Sequence, residues 1–320
     1  MNTFAPTVSS WPELISAETR ALIDPGDPAD PIARQYVASP DELSRGPEER
    51  ADPIGDKAHS PVPGLVHRHA DRVLLMPTEA CAVHCRFCFR RELLDEPRTL
   101  SDGEIDQALS YVRARPEIRE VILTGGDPLV LSPARLKRLV GLLDAIPHLA
   151  VIRVHSRVPV AAPLRVTPEL VAACRAAKAF FLAVHCNHPR ELTLDAAAAC
   201  RKFLDAGIPV LAQTVLLRGV NDDADTLATL MEALVALRIK PYYLHQCDLA
   251  SGTAHFRVPV TEGRALMAEL RRRVSGLALP TYVLDIPGGH GKVPIEETYG
   301  PDERGRVRDA MGRLHPYPPT

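Results

Sequence analysis

From Arg72 to Asp285, short apolar runs rich in β-branched residues alternate with helical stretches, and this alternation limits the chain to an α/β fold with a parallel sheet. The runs are Val73–Thr78, Glu120–Gly125, Val151–Ser156, Phe180–Cys186, Pro209–Leu216 and Tyr242–Gln246. Each is short and nearly continuously apolar, as a strand buried on both faces must be. Between them, Asp102–Ala114, Pro133–Ala145, Thr167–Ala177, Leu194–Ala206 and Ala224–Leu237 read as helices, followed by a helix at Thr261–Val274 and a last strand at Thr281–Asp285. Ser132-Pro133 and Thr167-Pro168 place an N-cap ahead of a proline in the first turn. Gly207 is placed to end the helix before it. Such β-α units build either a barrel or an open doubly wound sheet. Reactive residue types cluster just after the strands: the cysteines after the first, Gly125-Gly126-Asp127 after the second, His155 and His185 at the ends of the third and fourth, and Asp248 after the sixth. That is the rim pattern of a barrel, although an open sheet also gathers ligands at strand C-termini.

Residues 1–66 are rich in Pro, Asp, Ala and Arg and read as short helices and loops wrapping the main domain at 67–295, with 296–320 as a C-terminal tail. Lys plus Arg total 38 against 40 Asp plus Glu, a net charge of −2, which gives no reason to expect nucleic acid or a membrane surface as a partner. No apolar run reaches membrane-spanning length. The start, Met1-Asn-Thr-Phe-Ala-Pro6, has neither a basic region nor an apolar core, so no signal peptide is expected. Seven cysteines, only three of them clustered, argue against a disulfide framework and fit a reducing cytoplasm. Cys174, Cys186, Cys200 and Cys247 read as small core residues.

The clustered three, Cys81, Cys85 and Cys88, stand with three and then two residues between them. Three thiolates can hold three irons of a [4Fe–4S] cluster and leave the fourth iron open to a ligand, whereas a four-cysteine site mainly carries electrons. A structural zinc site would need a fourth ligand at ordinary spacing, and His84, inside the loop, reads as a loop residue. A second signal is Asp285-Ile-Pro-Gly-Gly-His-Gly-Lys292. Its glycines allow close backbone approach and positive φ. Its lysine is a candidate for forming a Schiff base, although such a loop alone is more often a phosphate cradle or a turn, and the Walker A spacing is absent.

The C-x3-C-x2-C spacing resembles the signature of the radical S-adenosylmethionine (SAM) superfamily. Together with Thr124-Gly-Gly-Asp-Pro-Leu129, Gln246-Cys-Asp-Leu249, His255-Phe-Arg257 and the glycine-lysine loop, in that order, it resembles the lysine 2,3-aminomutase family from about Gly64 to about Pro294. The resemblance implies a partial (β/α)6-type radical SAM barrel with an N-terminal helical extension. It implies that Cys81, Cys85 and Cys88 ligate the cluster, that Gly125, Gly126 and Asp127 line the SAM site, and that His185 and Gln213 lie near SAM. Lys292 looks like the lysine that binds pyridoxal 5′-phosphate (PLP), and Arg68 and Arg72 resemble the residues that hold its phosphate. His69 stands where the family commonly has Tyr.

For the substrate, Arg90 matches the position that holds an α-carboxylate, a natural bidentate pair. Asp248 and Asp285 match the two carboxylates that hold the ε-ammonium of L-lysine. Two anions in one pocket need a cation between them, which selects a basic side chain and repels an acidic one. The implied activity is an isomerase that moves the nitrogen of L-lysine from C2 to C3 to give β-lysine. An external one-electron reductant of flavodoxin or ferredoxin type would feed the cluster, and the cofactors would carry the difficult chemistry. Longer members carry a zinc-binding cysteine cluster that supports oligomerisation, but here no Cys follows Cys247 and the sequence ends about 28 residues past Lys292. This shape resembles the branch that supplies β-lysine for modifying elongation factor P, while the glycine-lysine loop looks more like that of the catabolic enzymes. Two rivals are an iron–sulfur redox protein without enzymatic activity and a radical SAM enzyme acting on another basic amino acid.

Overall fold

The computed structural model describes residues 11–93, 97–296, 304, 306–308, 311 and 313–316. Nine strands form one sheet whose spatial order follows the sequence: β1 (Leu65–His69), β2 (Arg72–Thr78), β3 (Glu120–Gly125), β4 (Val151–Ser156), β5 (Ala179–His185), β6 (Val210–Leu216), β7 (Lys240–Gln246), β8 (Thr281–Asp285) and β9 (Lys292–Pro294). Strands β2 to β8 are parallel, and β1 and β9 flank them antiparallel. Strict sequential order comes from right-handed β-α crossovers that each advance one strand, so the sheet curls around one face. The partial barrel is therefore present, with β2 to β7 as its six β-α strands and β8 as a seventh parallel strand.

Before the sheet lie α1 (Ala17–Arg20) and α2 (Pro31–Tyr36). The convex face carries α3 (Asp102–Arg113), α4 (Pro133–Asp144), α5 (Val158–Ala161), α6 (Pro168–Ala173), α7 (Leu194–Asp205), α8 (Ala224–Ala236) and α9 (Val260–Arg273). In α4 the buried side chains are Leu136, Leu139, Val140 and Leu143, and in α8 they are Leu227, Leu230, Met231 and Leu234. Both sets repeat at i, i+3, i+4 and i+7, a single stripe turned to the sheet. Ser132 and Thr167 cap their helices as expected, and Gly207 ends α7 at φ +79°.

Two departures have local causes. The helix expected over Thr167–Ala177 stops at Ala173, because the Asp144 carboxylate takes the amide protons of Ala177 and Lys178 at 3.1 and 3.0 Å. The glycine-lysine segment is a hairpin and not a free loop: Asp285 pairs with Lys292 across β8 and β9, and Ile286 donates to the Gly291 carbonyl at 2.8 Å. Gly288, Gly289 and Gly291 all have positive φ there.

The N-terminal segment wraps the barrel, and the sheet itself begins at Leu65. Residues 48–56 run between the two ends of the sheet. Arg50 donates to the Leu249 carbonyl at 2.8 Å, Gly288 donates to Pro53 at 3.1 Å, and Arg68 Nη1 on β1 donates to Ile54 at 2.7 Å. The segment thus ties the first strand to the last hairpin. Cys174, Cys186, Cys200 and Cys247 are buried core thiols. Among the described residues, no helix is long and apolar enough to cross a membrane. Most of the expected tail at 296–320 lies outside the described residues; within it, Arg306–Arg308 pairs with Leu314–Pro316.

Candidate active site

The strand C-termini open into one cavity of about 370 Å³. Arg68, Arg72, Arg90, His185, Gln213, Asp248, Asp285 and Lys292, all expected from sequence, line it together. They come from β1, β2, the cysteine loop, β5, β6, the turn after β7, β8 and β9, so only the curled sheet brings them together. A more open cleft of about 440 Å³ lies on the other side of Arg90, beside Asp56, Met76 and Glu79, but it contains neither Lys292 nor the two aspartates.

At one part of the cavity Lys292 Nζ contacts the Asp285 carboxylate and lies 3.1 Å from His245 Nδ1. Burial would raise the Asp285 pKa, but nearby His245, 3.8 Å away, and the Lys292 ammonium in contact with it hold it well below the usual carboxylate range. Asp248 behaves oppositely. Burial, then repulsion from Asp285, pushes it up to about 7. Of its oxygens only the backbone carbonyl is engaged, by Cys247 and Thr253, and its carboxylate accepts nothing among the described residues.

Arg90 is held by Asp56 Oδ2 at 2.8 Å from its Nε and by Thr124 Oγ1 at 3.2 Å from its Nη1. Asp56 also lies 3.6 Å from Arg68 Nη2. Arg72 pairs with Asp71 at 2.8 Å. His69 lies beside Gly291, where an added Cβ would come within 3.3 Å of its ring. Burial, then Arg72 and Arg68, lowers its pKa.

The floor is made of histidines and tyrosines. Burial, then Arg157, takes His185 down to about 3; burial, then Lys292, takes His245 down to about 4. Burial also takes His155 well below its ordinary value. All three are neutral at physiological pH, so they offer hydrogen bonds without charge. A β-bulge at Tyr242, where Ala212 pairs with Pro241 but Gln213 with Tyr243, turns both tyrosine rings to the cavity.

Beside the cavity, Phe89 and Arg90 follow Cys88 directly. The three thiols lie close enough to raise one another's pKa: burial, then Asp127 and the other two cysteines, pushes Cys81 far up, and burial, then Cys85, pushes Cys88 to about 11. Among the described residues no three His, Cys, Asp or Glu side chains converge as tightly as a single metal ion needs. Thiolates on three different irons of a cluster stand farther apart. His84 Nδ1 lies 2.9 Å from the Pro12 carbonyl and its ring stacks on Trp11 at 4.6 Å, a loop anchor as read from sequence.

Gly125, Gly126 and Asp127 have clear tasks inside the protein. A Cβ on Gly126 would strike the Ala80 carbonyl at 2.3 Å, and Gly125 has φ +105°. The Asp127 carboxylate accepts from Ser156 Oγ and from the amides of Leu129, Arg157 and Val158 at 2.7–3.1 Å. These residues lock the cysteine loop against the tips of β3 and β4. Sequence reasoning missed Asp56, Tyr242, Tyr243, Arg153 and His245. For His245 a signal existed, since it shares a strand face with Tyr243 two residues away.

Residues 75–231 match the Radical SAM superfamily. The L-lysine 2,3-aminomutase of Clostridium subterminale is 42% identical over 296 residues, which covers 92% of this chain and 71% of that protein. The L-lysine 2,3-aminomutase of Escherichia coli (strain K12) is 41% identical over 281 residues, 87% of this chain and 82% of that one. This chain belongs to the lysine 2,3-aminomutase family. It is thus an isomerase of the radical SAM superfamily, and its cofactors are a [4Fe–4S] cluster, SAM and PLP. A solved radical SAM methyltransferase from Sphaerobacter thermophilus shares the fold, with TM-score 0.54 and 22% identity over 72% of this chain and 73% of that one.

The residues fit these groups. Five cations, Arg68, Arg72, Arg90, Arg153 and Lys292, face three acids, Glu120, Asp248 and Asp285, in the cavity wall. Asp56 holds Arg90 and Arg68, and Asp71 holds Arg72, so these guanidiniums are fixed where they can meet a phosphate and a carboxylate. His245 Nε2 is buried without a partner and lines the same space. A polar atom left so is costly unless a ligand meets it.

Proposed function

We propose that this protein converts L-lysine to β-lysine in this cavity. The observation that carries the reading is the sharing of one cavity by Arg90, Lys292 and the two carboxylates Asp248 and Asp285. Arg90, with its Nε fixed by Asp56 and its Nη1 by Thr124, would turn its Nη2 to the substrate carboxylate. Asp248 and Asp285 take the ε-ammonium; a neutral or acidic side chain would leave them unpaired or repelled. Arg68 and Arg72 would hold the PLP phosphate, and Lys292 would bind its aldehyde carbon. Asp285, held ionised in contact with Lys292 Nζ, and neutral His245, 3.1 Å away, would position that nitrogen. Cys81, Cys85 and Cys88 would hold the cluster, with Gly125 and Gly126 keeping the adjoining backbone clear for SAM. When bound, the cluster with SAM supplies radical initiation, and PLP supplies a ring able to delocalise an unpaired electron. The protein's own work is positioning, charge pairing and exclusion of water.

The cluster calls for an external one-electron donor of flavodoxin or ferredoxin type, and the free thiols fit a reducing compartment such as the cytoplasm. The test is anaerobic. Protein reconstituted with iron, sulfide, PLP and SAM is given dithionite and L-lysine, and products are read by mass spectrometry. β-Lysine is expected. SAM cleavage with L-lysine left unchanged, and isomerisation of ornithine or arginine instead, would overturn the substrate assignment.

A further inference from the structure

Arg157, in the first turn after β4, is buried with 7% of its side chain exposed. Its Nη1 donates to Cys85 Sγ at 3.1 Å. Its Nη2 donates to Glu191 Oε1 at 2.6 Å and to Gln35 Oε1 at 2.5 Å. The acceptors are themselves fixed. Glu191 also takes the Tyr36 hydroxyl at 2.9 Å and the amides of Asn187 and His188 at 2.8 Å each, and Gln35 takes Asn187 Nδ2 at 3.0 Å. The guanidinium lies over the rings of Tyr36 and Phe87, at 4.8 and 5.3 Å. Ile32, Tyr36, Val83 and Ala161 pack an apolar wall beside Cys85. Among the described residues, no side chain donates to the Cys81 or Cys88 sulfur, and Cys88 has only the Arg90 backbone amide.

A guanidinium needed only to neutralise Glu191 would have no reason to face a thiol. Nor would it leave its Nε buried without a partner, as this one does. We propose that Arg157 is a second-sphere tuning residue, whose charged hydrogen bond to Cys85 raises the reduction potential of the cluster. It would also mark the Cys85-bound iron as electronically distinct from the other two. One-electron reduction by an external donor adds a negative charge to the cluster, and hydrogen bonds to its sulfurs stabilise the reduced form. Gln35 and Tyr36 lie on α2, so the N-terminal extension would serve the cluster by clamping this donor. The inference rests on the three-cysteine cluster and not on the choice of substrate, so failure to make β-lysine would leave it standing.

The experiment is a spectroelectrochemical titration of the reconstituted cluster, followed by the low-temperature electron paramagnetic resonance signal of the reduced state. The double variant Arg157→Met with Glu191→Gln removes the donor without stranding a buried carboxylate. Its reduction should become at least tenfold less favourable, a fall of about 59 mV or more for one electron, at unchanged iron content. Arg157→Lys keeps the charge against Glu191 but loses the fork that reaches both partners, and its midpoint should fall as well. An unchanged midpoint in whichever variant loads full iron would overturn the proposal. So would failure of both variants to load iron, which would make Arg157 a scaffold.

Discussion

Around the cysteine loop, buried cations face buried anions. Arg86 and Arg91 share Glu42 at 2.6 and 2.7 Å, and Arg157 shares Glu191. Around Lys292 the opposite holds. Asp248 has no hydrogen bond to its carboxylate, and His245 Nε2 has no partner. The contrast is physical. A cluster site must keep one geometry through every electron it accepts, so its charges are paired within the protein, although Arg157 Nε is left without a partner. A site that admits and releases a charged amino acid must leave charge unpaired in the protein, to be satisfied by the cargo. The same chain therefore holds a finished polar network and an unfinished one less than a loop apart, with Arg90, two residues beyond Cys88, joining them.

The largest break in this comparison should come from Lys292→Ala. Turnover should be lost and so should the absorbance band of bound PLP, while iron content stays near that of the wild type. Loss of iron as well would mean that the two ends are not built independently. With the ammonium gone, Asp248 and Asp285 face each other without a cation, so protons should be taken up at neutral pH, measurable by isoionic titration.

Glu42→Gln attacks the saturated end. Both arginines keep their charge and lose the anion between them, and Arg86 is fully buried. Breaking such a buried network by removing one partner costs about 3–5 kcal/mol. Urea unfolding should report that loss, with slower iron uptake and unchanged PLP binding. A change within about 0.5 kcal/mol would show that the cysteine loop does not depend on this network.

What was readable in the sequence follows the same division. Strands β2 to β7 announce themselves through short runs of apolar and β-branched residues bounded by helical stretches, and the cysteine spacing is local. Strand β1 reads Leu-Val-His-Arg-His and β9 is three residues ending in proline, so neither carries a strand signal. Asp56 and Glu42 lie in a polar segment, and the arginines hydrogen-bonded to them lie 34 to 49 positions away. No local pattern marks such a residue as buried; only the wrapping of the extension does. The pairing of Asp285 with Lys292 was likewise hidden, since nothing but the hairpin register sets those two side chains together.

The unfinished end should respond to pH. Asp248 has its folded-state pKa raised to about 7 from an ordinary 3.8. Between those values the folded protein holds a proton that the unfolded chain has released, so this group's contribution to stability falls as pH rises across that window and is flat above it. A lysine ε-ammonium favours the ionised form, so binding below pH 7 must expel the proton. KM for L-lysine should therefore fall as pH rises from 6 to 8, and Asp248→Asn should raise KM and flatten that dependence. A pH-dependent KM that survives in Asp248→Asn would assign the titration elsewhere. Asp285, held ionised by Lys292 and His245, should contribute nothing across the same range.

The smallest effect tests whether the saturated end contains a concealed ligand. His84 sits between Cys81 and Cys88 in sequence, and a histidine there invites reading as a fourth metal ligand. Its Nδ1 lies 2.9 Å from the Pro12 carbonyl and its ring stacks on Trp11. Burial lowers its pKa, so the ring is neutral and Nδ1 carries the proton that this bond needs. His84→Ala should then cost one hydrogen bond and one ring contact, about 1–2 kcal/mol together, with iron content and the cluster's absorbance unchanged. Replacement by Gln, which can still donate to Pro12, should recover part of that stability. If His84→Ala instead lost an iron or shifted the cluster spectrum, the cluster would be closed by a fourth protein ligand. No open iron would then remain for SAM, and the division between a sealed electron site and a receptive substrate site would have to be redrawn.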